Sequence, residues 1–352
     1  MRRWLASMER PHLLRARSIA LLLLVAGLIV WGNLGENDDP LLANPAKSPS
    51  SYGDVRLYAD IATRVAAGQD YYETATRLQR EHHYPLRPFY TVRSPLLAWV
   101  NAWFGNLAWP ACLLLAIAAL AWLHNLDGRS IFERVVALLC LLGIGLPLAL
   151  SPFHYVHDMW GGLLASIALG LGSTRLAVVP AVLAVLVREL NIPLLGLFTL
   201  DRRSRAPALA GLALCIATFA YHRSAVLGWT LPSDPVSQGW FGLRGPAGWV
   251  DDIMSNTVLQ VLPRPAAALL AFAPVLGWVE VGRHRALTWC LGVFVLVAVL
   301  ARPDNTYWIL NALPVWFVGL AFVPAFLLNR SKWLANGPVA IAVRPKTETT
   351  DS

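Results

Sequence analysis

Charge is what this chain has least of. Charged residues make up 14% of it, against about 25% in ordinary soluble domains, while 56% of its residues are hydrophobic. That balance excludes a soluble globular protein. Cysteine is scarce too. Cys112, Cys140, Cys215 and Cys290 are the four present, each inside an apolar stretch and none at metal-ligand spacing. They read as small core hydrophobes rather than disulfides or ligands. The chain has no phosphate-cradling glycine loop, no Gly-x-Ser-x-Gly elbow and no Cys-x-x-Cys pair, so nothing points to a nucleotide site, a serine hydrolase or a redox dithiol.

What the chain does have is apolar blocks near bilayer-spanning length, separated by short basic or Pro/Gly-rich breaks. The pattern predicts an all-α polytopic membrane protein with about ten transmembrane helices, at 18–34, 96–123, 135–151, 159–173, 175–187, 190–200, 207–227, 264–281, 286–301 and 308–328. The net charge of +8 does not indicate nucleic acid, because a nucleic-acid binder gathers its Lys and Arg on one folded face. Here the basic residues sit in the breaks: Arg129 with Arg134, Arg175, Arg202 with Arg203 and Arg205, Arg283 with Arg285, and Arg330 with Lys332. The positive-inside rule puts such breaks in the cytoplasm, and both termini with them. Arg2, Arg3, Arg10, Arg15 and Arg17 precede the apolar run 19–31, with no small-x-small cleavage site after it, so an uncleaved signal anchor is expected.

This divides the chain into a basic cytoplasmic N-terminus (1–17), a membrane-embedded body (18–328) and a polar cytoplasmic tail (329–352) expected to be disordered. The region 175–200 is expected as two short helices meeting near Arg188 and Glu189. One helix interrupted at Asn191 and Pro193 would carry Arg202, Arg203 and Arg205 to the wrong side. Two external segments, 35–93 and 228–263, are too long to be simple connectors. The first opens with the irregular Pro/Ser/Asn stretch 39–51. It then places Leu57, Tyr58, Ile61, Ala62 and Val65 on one helical face, ending at Gly68, as in an amphipathic helix lying in the headgroup layer. Trp31, Trp109, Trp160, Trp229, Trp278 and Trp308 fall near span ends, as an interfacial belt would.

Ionisable groups beside or within spans cost about 2.5–3.5 kcal/mol each at a helix centre, so they rarely lack a role. They concentrate at Asp54 and Arg56, Arg93, His154 with His157 and Asp158, Arg188 with Glu189, and Arg302 with Asp304 and Asn305, all at what should be one membrane face. Asp54 stands where irregular chain turns into the loop helix. It is either a base held at fixed depth or half of a Ser51-x-x-Asp54 capping box. Arg93, Arg188 and Arg302 lie at span boundaries, where their forks would meet a lipid phosphate; snorkelling to headgroups is the alternative for Arg93 and Arg302. Glu189 follows Arg188, but helix neighbours point about 100° apart, so the two need not pair. His154 and His157 have His-x-x-His spacing with Asp158 beside them, yet lack a third firm metal ligand. No metal and no cofactor is indicated; substrate hydrogen bonding or phosphate neutralisation is the expected role, with interfacial packing as the alternative. Asp304 or Asn305 could instead cap the following helix, and Asp251-Asp252 reads as solvated.

One N-terminal span followed by a long external loop with an early Asp and an amphipathic helix resembles the GT-C glycosyltransferases, polytopic enzymes that take sugars from polyprenyl phosphates. The text Gly53-Asp54-Val55-Arg56-Leu57-Tyr58, then Ala67-Gly68-Gln69-Asp70-Tyr71-Tyr72, Tyr84-Pro85-Leu86-Arg87-Pro88 and Arg93-Ser94-Pro95, looks like the first external loop of the polyprenyl-phosphomannose-dependent branch. The resemblance covers residues 18–124, and beyond them only the architecture. It implies Asp54 as catalytic base and an inverting transfer of mannose or another sugar at the external face of an inner membrane. Arg93, Arg188, Arg302 and His157 would hold the donor phosphate. Tyr58, His154, Asp158, Glu189, Asp304 and Asn305 would contact substrate. The implied partners are a polyprenyl-phosphate-linked sugar donor, a glycolipid or glycan acceptor and the lipid bilayer. The missing nucleotide site fits such a donor. One departure is that relatives carry paired acidic residues, whereas Asp60 lies six positions on, about 240° around a helix from Asp54. Two rivals are a lipid or sugar transporter or flippase, and a membrane acyl- or phosphotransferase using His157 with Asp158.

Overall fold

A computed structural model of the chain describes residues 11–34 and 52–336. The N-terminal Arg2, Arg3 and Arg10, the stretch 39–51 and the tail beyond 336 lie outside the described residues. Among the described residues there is no strand, only an isolated bridge between Arg87 and Val236. In chain order the helices are α1 (Pro11–Asn33), α2 (Asp54–Ala66), α3 (Tyr71–Glu81), α4 (Leu96–Phe104), α5 (Ala108–Asn125), α6 (Ile131–Leu150), α7 (His157–Gly170) and α8 (Val178–Val187). There follow α9 (Ile192–Thr199), α10 (Arg205–Leu227), α11 (Gly245–Asn256), α12 (Arg264–Phe272), α13 (Pro274–Val281), α14 (His284–Leu300), α15 (Leu313–Trp316) and α16 (Val323–Asn336).

Among the described residues, five stretches are long and apolar enough to cross a membrane: Ala16–Asn33, Ala108–Asn125, Ile131–Leu150, Arg205–Leu227 and Arg264–Val281. By length and composition they are consistent with a multi-pass membrane protein. The other expected spans are shorter or broken. The span 96–123 is two helices, because Gly105 takes a left-handed backbone (φ +77) that ends α4 before α5 begins. The region 308–328 is not one helix either. Tight 3-10 turns at Thr306–Asn311 and Phe317–Phe322 enclose α15. The break in 175–200 is where it was expected: α8 stops at Val187, Arg188 is extended (φ −146, ψ 111), and α9 restarts with Pro193 in its first turn.

The loop segments are more built than their sequence suggests. Leu57, Ile61 and Ala62 are the buried face of α2. They pack on α4 and on Tyr71 and Leu78 of α3, and Asn101 Nδ2 donates to the Ala62 carbonyl at 3.3 Å. The apolar side expected to lie among headgroups is thus taken up by protein. In 228–263, α11 buries Trp249, Val250 and Ile253 against α1 and α14. Gly32 permits the approach of α1, since a Cβ there would come within 2.9 Å of Val250. Asp252, expected in solvent, is fully buried in a two-pronged pair with Arg244 (3.0 and 2.8 Å). Asp251 pairs with Arg264.

Only part of the tryptophan belt is realised. Trp31, Trp109 and Trp229 are exposed, whereas Trp160, Trp278 and Trp308 are buried. Trp160 and Trp278 each donate their indole N–H to a carbonyl, of His154 (2.7 Å) and Trp316 (3.1 Å), which is how a buried indole is usually satisfied. All four cysteines are free, Cys215 and Cys290 fully within the core.

The central element is α7. Every one of its 14 residues is buried, and its glycines let the last segment of the chain lie against it. A Cβ at Gly162 would stand 2.0 Å from the Leu310 carbonyl oxygen, a backbone atom that cannot step aside. Gly162→Ala is therefore expected to destabilise the protein by about 1–3 kcal/mol, read as a lowered thermal midpoint in detergent. An unchanged midpoint would show that α7 and the Thr306–Asn311 turn are not in this contact.

Candidate functional site

A cavity of about 720 Å³ opens between the two loop segments and the ends of the broken helices. Asp54 and Tyr58 reach it from α2, Arg93 from the chain before α4, Arg188 from the α8–α9 break, and Arg302, Asp304 and Asn305 from the turn after α14. Seven of the residues singled out in the sequence therefore share one cavity. Its roof is the segment 235–240, which clamps to the first loop. Arg80 grips Asp234 with two bonds (2.6 and 2.9 Å), Arg87 Nη2 donates to the Asp234 carbonyl (2.8 Å), and Ser237 N donates to the Arg87 carbonyl (2.7 Å).

The arginines are anchored rather than snorkelling. Arg188, only 1% exposed, donates from Nε to Asp158 Oδ1 (2.8 Å) and from Nη1 to Glu189 Oε1 (2.7 Å). Its pairing with its own neighbour is possible because the chain at Arg188 is extended, so the helical angle between neighbours does not apply. Arg93 donates from Nη1 to the same Glu189 oxygen (3.3 Å) and the Tyr90 carbonyl (3.3 Å), and from Nε to Tyr58 Oη (3.2 Å). Among the described residues, Nη2 of Arg93 and Nη2 of Arg188 carry no hydrogen bond. Each arginine is thus held in place with one amino group to offer an anion in the cavity. Arg302 is more fully engaged, by Asp304 (2.7 and 3.2 Å) and Gln238 (2.9 Å). Neither Asp304 nor Asn305 caps a helix: Asn305 precedes the Thr306–Asn311 turn without a side-chain cap bond.

Asp54 differs from every other carboxylate here. Asp158 and Glu189 are tied to Arg188, and Asp304 to Arg302. Among the described residues Asp54 forms no ion pair. Its neighbours are phenols, and its charge acts on Tyr58, Tyr84 and Tyr307. Burial pushes the Tyr84 hydroxyl up, and Asp54 pushes it further; burial does the same at Tyr58, against the pull of Arg93. Both stay neutral near pH 7, so they bring no counter-cation to Asp54, and the Tyr84 hydroxyl is a hydrogen-bonding neighbour of its carboxylate. Asp54 is the first residue of α2 and Gly53 its N-cap, with no side-chain cap bond, so Asp54 does not stand at the third position that a capping box requires; Ser51 lies outside the described residues. Asp60 points elsewhere, accepting from Tyr52 Oη (2.5 Å).

Four residues singled out in the sequence do not line the cavity: His154, His157, Asp158 and Glu189. Asp158 and Glu189 stand behind it as the partners of Arg188. His157 is buried with Nε2 3.3 Å from the Ser94 carbonyl and its ring edge-on to Tyr58 (4.9 Å). His154 sits in a 3-10 turn against the Ala149 carbonyl (3.3 Å). Among the described residues no group of His, Cys, Asp and Glu could hold a metal ion.

Asn191 and Asn311 complete the rear shell. Asn311 Nδ2 donates to Asp158 Oδ1 (2.7 Å), and Asn191 Nδ2 donates to Asn311 Oδ1 (2.8 Å). A Cβ at Gly161 would meet both side chains at 2.5 and 2.6 Å. The signal that could have found Asn311 is a carboxamide within an otherwise apolar run. Tyr84, Tyr307 and Trp240 had no such signal, since aromatics are common at membrane boundaries. No protein-family model matches the chain, and neither a curated protein nor a solved structure is similar to it.

Proposed function

We propose that this protein is a membrane glycosyltransferase of the GT-C kind, transferring a sugar from a polyprenyl phosphate to an acceptor hydroxyl. Mannose is the first donor to try. The reaction is a single displacement with inversion. The acceptor oxygen attacks the anomeric carbon as the bond from that carbon to the phosphate oxygen breaks. Its proton passes to Asp54, and the polyprenyl phosphate leaves with the bonding electron pair. The cavity faces outward from an inner membrane in this reading, with both termini in the cytoplasm, and the donor enters laterally from the bilayer. Tyr58, Asp304 and Asn305 remain as substrate contacts.

The observation that carries the reading is the pairing of opposites in one cavity: an unpaired carboxylate, and two anchored arginines each with an unbonded amino group. A base for the attacking hydroxyl and preorganised cations for the charge developing on the leaving phosphate are the two requirements of such a transfer. A phosphotransferase or acyltransferase built on His157 and Asp158 finds no support, since Asp158 is already bound by Arg188 and Asn311. The test is incorporation of label from radiolabelled polyprenyl-phosphomannose into a membrane-glycolipid acceptor mixture by the purified protein in lipid, with parallel reactions offering other polyprenyl-phosphate sugars. Failure with every donor would reject the proposal.

A further inference from the structure

The cavity has a third kind of wall. Tyr90, Trp240 and Trp308 all line it and form a continuous ladder of rings: Tyr90 to Trp240 with centroids 5.1 Å apart, Trp240 to Trp308 with centroids 5.6 Å apart and planes at 88°. The ladder is fixed at both ends by the arginines of the site. Arg93 donates to the Tyr90 carbonyl, and the Arg188 guanidinium carbon lies 6.0 Å from the Trp308 ring centroid. Trp308 is buried, but Trp240 is 37% exposed although it lines a cavity whose roof is clamped in place. Phe241, its neighbour in sequence, is more exposed still and does not line the cavity. Trp240 is thus a lining residue of the cavity whose ring is not wholly covered by its neighbours.

We infer that Trp240, with Tyr90 and Trp308 beside it, is a platform for the face of a pyranose ring. An aromatic face carries negative quadrupolar charge, and the C–H groups on one face of a pyranose are weakly positive. A sugar therefore stacks there, where a bare phosphate or an extended peptide has nothing to match. Gln238 and Asp304 stand in the same lining and supply hydrogen-bonding groups for hydroxyls at the ring's edge. Because the platform runs between Arg93 and Arg188, the stacked ring lies next to the anion position. The ring belongs either to the donor or to the acceptor of the transfer reaction. In calling the ring a reactant, this inference rests on the glycosyltransferase reading; the binding itself does not.

The experiment is saturation-transfer NMR on the purified protein in lipid nanodiscs, with the methyl pyranosides of mannose, glucose and galactose as probes and open-chain mannitol as control. At least one pyranoside is expected to bind in the millimolar range, with saturation concentrated on the protons of one ring face, while mannitol does not bind. Trp240→Ala should weaken that binding about five- to tenfold, and Trp240→Phe about twofold or less. No pyranoside binding to wild type, or undiminished binding to a folded Trp240→Ala variant, overturns the platform. If Trp240→Ala does not fold, the one-face pattern in wild type decides.

In the Asp54→Asn variant, used only to stop turnover and with its own pyranoside binding as the reference, displacement of the pyranoside by polyprenyl-phosphomannose assigns the ring to the donor, and simultaneous binding assigns it to the acceptor. Pyranoside binding without any transfer activity would sink the transferase and keep the platform. Transfer without pyranoside binding would do the reverse.

Discussion

Asp54→Asn is expected to lower sugar transfer by a factor of about 10²–10⁴, the usual worth of a positioned general base. The amide has the shape of the carboxylate but cannot accept the acceptor's proton. The fold should hardly notice. Among the described residues Asp54 has no ion pair to lose, and its place in the first turn of α2 is worth about 0.3–1 kcal/mol of helix-dipole interaction, part of which an amide retains. The check is the transfer assay beside a thermal melt of the same preparation. Full activity would remove Asp54 from the base role. Loss of activity together with loss of the folded protein would give it a structural one.

Arg188→Leu should be the most destabilising change at the site. The guanidinium is 1% exposed and Asp158 2% exposed, at 2.8 Å from one another. Breaking a buried pair by removing one member costs about 3–5 kcal/mol, because the other charge is left without compensation. A protein with about 5–15 kcal/mol of net stability loses a large part of it. The partner experiment is the double change Arg188→Leu with Asp158→Leu. It removes both charges at once, and Glu189 still has Arg93 at 3.3 Å. The double variant should regain most of the lost stability, since apolar replacement of an entire buried pair is often neutral, yet it should remain inactive for want of the Arg188 amino group. With the Asp158→Leu single variant measured as well, a double variant that loses the sum of the two single losses would mean that Arg188 and Asp158 are not coupled.

The convergence of Asp54, Arg93, Arg188, Arg302 and Asp304 was legible in the sequence because charge among apolar blocks is expensive and stands out. So was the break at Arg188, through the side on which Arg202, Arg203 and Arg205 had to fall. The break at Gly105 was not, since the apolar run passes straight through it and one positive-φ glycine decides the matter. The order inside 228–263 was hidden for another reason. Asp252 looks like a solvated acid until Arg244, at the N-cap of α11 about two turns earlier, folds over it. The clamp between Arg80 and Asp234 joins residues 154 positions apart, beyond any local periodicity. Local rules also misled directly at Glu189: the expected angle between it and Arg188 presumes a helix, and that backbone is extended. The arginines were readable as a class, but their anchoring by specific carboxylates, and the phenols around Asp54, needed the tertiary arrangement.

The complete burial of α7 bears on how this chain tolerates change over generations. On α10 only Ala208, Gly211, Cys215, His222 and Val226 are buried, a single seam with spacings of three, four, seven and four. Most of its remaining positions are open to any apolar residue that lipid accepts. On α7 no position is free in that way, and Gly161 and Gly162 admit no side chain at all without collision. In a saturation-mutagenesis library selected for function, α10 should therefore vary freely around its seam. By the same reasoning α7 should come through almost unaltered, the most slowly changing stretch of the chain.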